Sequence, residues 1–339
     1  MTALLGIALS ISCAFVPALL AVVVLWWLDR YEKEPLWLLS IILLWGAVPT
    51  VALSIAAQLV LDAPLSALVG PSILYEATRL SVIAPLTEES FKALIILAIY
   101  LSYRAEFDGV MDGILYGALV GLGFSFVENS FYFLRSLWEG GWPAWGMTVA
   151  LRIGLYALNH ALFAACTGTG FGVARTARRT SGRVLYPLLG WTAAVALHAL
   201  HNGATLLSEA TSGLSCILGT AVDWAGVLGM LVLILVVTRA EGRWLQELVP
   251  EVTAGTITLA EYEVASRYGA RFARGWQVLS RHGLRAWLRW ARHVQRIVDL
   301  AYKVHQAQVD GGGVEAEQRI AALREQIGRA RTRLTHSGG

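Results

Sequence analysis

The chain has 339 residues, of which 56% are hydrophobic and only 15% charged, and its formal net charge is +3. A soluble domain carries about 25% charged residues, so an ordinary soluble globular protein is excluded. The three cysteines, Cys13, Cys166 and Cys216, stand apart from one another in apolar runs, which excludes a disulfide framework and a cysteine metal site.

The apolar residues run in stretches of about 20 up to residue 238 and then stop. The expected organisation is therefore a transmembrane domain over 1–238 and a basic helical tail over 239–339. The first stretch, "MTALLGIALSISCAFVPALLAVVVLWWLDR", lacks a basic start and is too long for a signal-peptide core, so it is expected to stay as a span. In chain order seven spans are expected, at 3–28, 36–61, 75–102, 109–137, 147–173, 184–208 and 215–238. Trp26, Trp27, Trp37, Trp138, Trp142 and Trp145 fall near their ends, where an interfacial aromatic belt lies. Alternate short loops hold Arg30 and Lys33, then Arg104, then Arg175, Arg178, Arg179 and Arg183, while the loops between them hold neither Lys nor Arg. The positive-inside rule puts the basic loops in the cytoplasm, the N-terminus outside and the tail inside. Arg79, Arg135 and Arg152, toward the outer ends of their spans, count against this orientation. The fold class is all-α, a polytopic transmembrane helical bundle with a C-terminal cytoplasmic tail, in a multi-pass cell-membrane protein.

Four spans carry ionisable or amide groups in their interiors. The third has Glu88, Glu89 and Lys92; the fourth has Glu128 and Asn129; the fifth has Asn159 and His160; the sixth has His198, His201 and Asn202. A charge at a bilayer centre costs roughly 2.5–3.5 kcal/mol on insertion scales. Under the expected topology Glu88, Glu128, His160 and His198 share one depth, so four helices can converge there. Glu88 and Lys92 are at i, i+4 and Glu89 and Lys92 at i, i+3, so both carboxylates can share one ammonium. Pro85 should kink the third span and free backbone groups beside the glutamates. Gly109, Gly113, Gly117 and Gly121 recur every four residues and place Glu128 at a close helix–helix contact. A lone His or Asn in a span is ordinarily an interhelical hydrogen bond, and Asp112, near a cytoplasmic end, can be a cap. Three glutamates and two histidines in one layer read instead as a reaction centre.

A carboxylate can act as general base on water, a second acid or a histidine can protonate a leaving amine, and Asn with His can stabilise an oxyanion. That set suits amide hydrolysis without a covalent intermediate. Two histidines and a carboxylate also suit zinc, with His160, His198 and Glu88 as the ligands if a metal is present. There is no HExxH, so no cofactor is expected, and zinc is the alternative. A non-hydrolytic proton or ion relay is the reading from another class; it calls for titratable groups reaching both faces rather than one layer.

These residues resemble a known family. "EESFK" looks like the EExxK motif of the PrsW intramembrane proteases, which belong with the CAAX prenyl proteases and bacteriocin-processing membrane proteases. "DGILYGALVGLGFSFVENSFYF" is similar to the second motif of that family, "HALFAACTGTGFG" to its third and "HALHNG" to its fourth. The resemblance covers about residues 25 to 208. It implies an intramembrane endopeptidase acting on membrane-anchored proteins, anti-sigma factors among them, with Glu88 as the base that activates water and Glu89 in support. It also implies His198 and Asn202 as holders of the water or oxyanion. Glu128 stands where the prenyl proteases have a His. The catalytic set is then Glu88, Glu89, Glu128, His160, His198 and Asn202, with Lys92, Asn129, His201 and Asp112 in support.

The tail holds 16 Lys and Arg against 10 Asp and Glu. "TLAE" at 258–261 fits a capping box. Arg281, Arg285, Arg289, Arg292 and Arg296 form a basic stripe flanked by Trp276, Trp287 and Trp290. "DGGG" at 310–313 should break the helix, after which Ile320, Leu323, Ile327, Ala330 and Leu334 keep heptad spacing. The tail is either a helical hairpin packed on itself or a basic helix on anionic lipid. The expected partners are a membrane protein substrate and the bilayer, with anionic lipid at the tail; no nucleic acid is expected, since no recognition motif accompanies the charge.

Overall fold

In a computed structural model, residues 2–29, 33–104, 106–177, 179–310 and 313–336 are described. Arg30, Arg178, Gly311, Gly312 and the side chain of Leu334, all used above, lie outside them. Among the described residues every regular element is helical. We number the helices α1 (Thr2–Leu28), α2 (Leu36–Val69), α3 (residues 73–102), α4 (Val110–Gly154), α5 (Asn159–Arg175), α6 (Thr180–Leu206) and α7 (Leu214–Trp244). The tail adds a short turn at Val249–Thr253, then α8 (Leu259–Ser266), α9 (Tyr268–Asp310) and α10 (Val314–His336). Two compact units result, one built from residues up to Leu28 with Glu34–Ile234, the other mainly from Leu235 onward.

Among the described residues five stretches are long and apolar enough to cross a membrane: Leu4–Leu28, Leu36–Val69, Val110–Arg175, Thr180–Leu206 and Leu214–Thr253. Two of the seven expected spans behave differently. Residues 73–102 are helical, but Glu88, Glu89 and Lys92 load the centre with charge. The expected span 147–173 is not one helix: α4 runs on to Gly154, and a break over 155–158 precedes α5. Helix α4 is itself kinked at Gly141, whose φ of 67° only glycine adopts freely. The break sets Asn159 and His160 in the first turn of α5, both buried.

Helix α4 is the axis of the first unit. Its segment Met111–Ser125 is buried almost without interruption. The glycine stripe explains the close fit. A Cβ on Gly113 would run into the carbonyl of Gly168, one on Gly117 into that of Ala164, and one on Gly121 into that of His160. The α4–α5 seam is thus backbone against backbone, as small residues allow in a membrane helix pair. On another face of α4, Gly123 lies against the Leu43 carbonyl of α2. Leu38, Ile42, Ile96, Leu119 and Phe171 fill the core around these contacts.

Pro85 does not break α3. A π-helical turn at Arg79–Ile83 precedes it instead. In i→i+5 bonding the N–H of residue 85 would reach the Leu80 carbonyl, and proline has none to give. The side-chain amide of Asn202 on α6 donates to that carbonyl at 2.8 Å. The three arginines that count against the expected orientation are all paired: Arg79 with Glu76 at 3.1 Å, Arg135 with Glu139 at 2.9 Å, and Arg152 with Glu128.

In the second unit, Leu245, Leu248, Ile257, Ile297, Val298, Leu300 and Ile327 form a separate core. The capping box is present at Thr258 and Glu261. Burial alone would raise the Glu261 carboxyl, yet hydrogen bonds from His293, Arg331 and Thr258 hold it well below the usual range. The arginine stripe is not continuous. Gly283, at a φ of 77°, turns the chain between Arg281 and Arg285. Trp287 and Trp290 close over Gly275 rather than standing free, while Trp276 is 65% exposed.

Two predictions follow from this packing. Gly117→Val should lower stability by about 1–3 kcal/mol, since overpacking a close contact forces the helices apart. Gly229→Ala, where an added Cβ meets nothing within 4 Å, should be neutral or stabilising; thermal unfolding in detergent measures both. In the tail, burial pushes the Asp299 carboxyl up to about 6. Its unfolded value is near 3.9, so the folded form holds the extra proton between those values. Its contribution to stability therefore falls as pH rises from about 4 to about 6. Asp299→Asn should slow hydrogen exchange of the 294–301 amides at pH 7.5 and leave it unchanged near pH 4.

Candidate active site

A cavity of about 450 Å³ opens between α2, α3, α4, α5 and α6. Glu88, Glu128, Arg152, His160, His201 and Asn202 are among its wall residues. Behind Glu88 and His160, Lys92 is 1% exposed and Glu89 fully buried. The Lys92 ammonium donates to Glu89 Oε1 at 2.7 Å and lies 4.0 Å from Glu88 Oε2. It also lies 3.0 Å from His160 Nδ1 and 4.0 Å from the centre of the Phe124 ring. The shared ammonium read from the spacing is present, tight for Glu89 and loose for Glu88.

The partners fix both imidazole tautomers. An ammonium can only donate, so His160 Nδ1 accepts and its Nε2–H donates to Glu128 Oε2 at 2.8 Å. The Glu89 carboxylate can only accept, so His198 Nδ1–H donates to its Oε1 at 2.9 Å. His198 Nε2 is left with a lone pair, 3.8 Å from Glu88 Oε2. That Oε2 is buried and has no hydrogen-bond partner among the described residues, whereas Oε1 accepts from Gln58 at 3.2 Å. Glu128 also accepts from Arg152, which donates to Asn129 Oδ1 as well and stacks on the Tyr132 ring at 3.8 Å.

With these contacts the structure brings together Glu88, Glu89, Lys92, Glu128, Asn129, His160 and His198, and it puts Asn202 and His201 in the same cavity wall. Asp112 is elsewhere: it caps the start of α4, accepting from the N–H groups of Asp108 and Gly109. It lies 16 residues before Glu128, about 24 Å along a helix.

The family model of the PrsW family intramembrane metalloproteases matches residues 34–240. The chain belongs to this family. Protease PrsW of Geobacillus kaustophilus (strain HTA426) is 28% identical over 186 residues, covering 53% of this chain and 72% of that protein. No solved structure matches the chain. The PrsW-family chain is accordingly a membrane protein and a peptidase acting within the bilayer.

The family description names a metal, and Glu88, His160 and His198 offer ligand atoms within 4.8 Å of one another. The missing HExxH has no bearing on this set, because that motif places two ligands one turn apart on one helix, while these three sit on α3, α5 and α6. The donor types suit zinc. The arrangement suits it less well. Neither His160 nitrogen has a free lone pair, and the Lys92 ammonium lies against one of them.

Three cavity or near-cavity residues were not singled out from the sequence as site residues. Gln58 is a lone amide in an apolar stretch, Arg152 entered only as a topology mark, and Asp223 is a lone acid within the last span. Asp223, 2% exposed, accepts from His201 and Asn159. All three are polar groups at membrane depth, which is the signal that marks function there.

Arg152→Met should strand the Glu128 carboxylate with His160 alone and cost about 1–3 kcal/mol. Adding Glu128→Gln should recover most of that loss. Melting temperatures of the two singles and the double variant in detergent measure the coupling.

Proposed function

We propose that this protein is an intramembrane endopeptidase that hydrolyses peptide bonds of membrane-anchored proteins with water activated by Glu88. The observation that carries the reading is the gap between two hydrogen-bond acceptors. Glu88 Oε2 and His198 Nε2 face each other at 3.8 Å, and Glu88 is one of the residues that line the cavity. A water held by two acceptors points both hydrogens at them and turns a lone pair outward. That is the orientation a nucleophile needs, and Glu88 is placed to take its proton. Glu89 is not the base in this reading. It is committed to Lys92 and His198, and its work is to hold His198 in the right tautomer.

Donors for the carbonyl oxygen stand in the same wall. Arg152 carries a permanent charge, and Asn202 is held in place by its bond to the Leu80 carbonyl. Glu88 is the glutamate that Lys92 reaches least, at 4.0 Å, which favours it as acceptor of the proton.

The metal-dependent form is kept as a second reading because of the convergent donor set and the family description. Bound zinc would act as a Lewis acid and lower the pKa of its water. His160 would have to release Glu128 to become a ligand, so no step of the mechanism above is assigned to it.

Purified enzyme and a single-span substrate in the same vesicles test both readings. Glu88→Gln should lower cleavage by about 10²–10⁴ while the protein keeps its melting temperature to within a few degrees. Wild type should keep its rate after strong chelation and carry less than one metal ion per chain by elemental analysis. A wild-type rate in Glu88→Gln removes Glu88 as base. Loss of activity on chelation, restored by zinc, replaces the first reading with the second.

A further inference from the structure

The mechanism so far leaves the departing amine without a proton. An amide nitrogen cannot leave as its anion, so a donor must stand near the water but apart from Glu88. The groups already placed do not serve. Lys92 is closed off between Glu89 and His160. Arg152 cannot be deprotonated. Glu128 accepts from both Arg152 and His160. His198 faces Glu88 through its one free nitrogen.

His201 differs. It sits one turn beyond His198 on α6, and the Phe163 ring packs against both imidazoles, at 5.0 and 6.3 Å. Its Nδ1 lies 2.7 Å from Asp223 Oδ2 on α7. Asn159, at the start of α5, donates to that same oxygen at 2.8 Å. A buried carboxylate is therefore held by one helix and spent on orienting a histidine of another. His201 Nε2 has no hydrogen-bond partner among the described residues, and the ring forms part of the cavity wall. A carboxylate on Nδ1–H fixes the ring and balances its charge when Nε2 is also protonated.

We propose that His201, positioned by Asp223, is the general acid that protonates the leaving amine. This rests on the peptidase reading with Glu88 as base. As the water oxygen bonds to the carbonyl carbon, one water proton passes to Glu88. The C–N bond then breaks, its electron pair stays on nitrogen, and nitrogen takes the Nε2 proton of the His201 imidazolium. The proton on Glu88 returns to His201, so one water is consumed and one carboxyl and one amine are released. In this scheme His201 touches the substrate, and Asp223 acts through it.

The test compares two single-span substrates in reconstituted vesicles, one with the scissile amide and one with an ester in its place. An ester's alkoxide departs from the tetrahedral adduct with far less need of an acid. His201→Gln should lower amide cleavage by about 10²–10⁴ and ester cleavage by less than about tenfold. Asp223→Asn should shift the amide-to-ester ratio in the same direction by a smaller factor. Retained ester cleavage shows that the variants are folded. Equal loss on both substrates, or an unchanged amide rate in His201→Gln, overturns the proposal. Glu88→Gln should slow both substrates alike, because both need the activated water. A Glu88→Gln enzyme as fast as wild type on both overturns the base, while the substrate ratio of His201→Gln still decides the acid.

Discussion

One buried ammonium decides where the hydrogens of this site lie. Lys92 has almost no contact with solvent, and its charge is met by Glu89, by the lone pair of His160 Nδ1 and by the face of Phe124. Because it can only donate, His160 must be the Nε2–H tautomer. Because it occupies Glu89 Oε1 as a donor, that oxygen is an acceptor and His198 must be the Nδ1–H tautomer. Glu88 is the carboxylate that Lys92 reaches least, at 4.0 Å. Two neighbouring glutamates of the same chemistry are thereby divided into a structural acid and a free one. The cost of burying Lys92 is offset only while these partners are complete, as buried ion pairs require.

The second constraint is steric. Glu128 and His160 meet because α4 and α5 touch along their backbones, and they touch because Gly113, Gly117, Gly121 and Gly168 have no side chains to hold them apart. Helix α5 also begins at the right place. The break over 155–158 starts a new helix with Asn159 and His160 in its first turn, so adjacent residues serve different ends. Asn159 turns to Asp223 and His201, and His160 to Glu128 and Lys92.

Much of this was legible in the sequence because membrane burial makes polar residues conspicuous. Glu88, Glu89, Lys92, Glu128, His160 and His198 stood out against apolar runs, and the four-residue glycine period located the seam. The break before Asn159 was not legible, since no proline marks it and the residues on either side continue a span-like pattern. The π-helical turn is not legible either, because Pro85 shows that a carbonyl is freed and not which side chain will take it. Arg152 was not legible as a site residue for a different reason: loop-charge rules count arginines by position, whereas its carboxylate partner lies 24 residues earlier on the same kinked helix. In the tail, the interruption at Gly283 divides a stripe that periodicity alone drew as continuous.

The glycine seam also bears on which walls of the cavity have slack. Backbone packed on backbone has no slack, since parting α4 from α5 by even one atom's width loses every contact along the row. That side of the cavity is a fixed jaw. The facing walls are made by side chains: Val51, Ile55 and Gln58 of α2, Leu80 and Ala84 of α3, Thr205 and Leu206 of α6. Gly46 and Gly123 seat α2 on α4 backbone to backbone as well, and Gly170 and Gly190 seat α5 on α6, so α3 is the facing wall without such a backbone-on-backbone glycine contact. The π-helical turn ahead of Pro85, whose freed Leu80 carbonyl accepts from the Asn202 amide, lies in that wall.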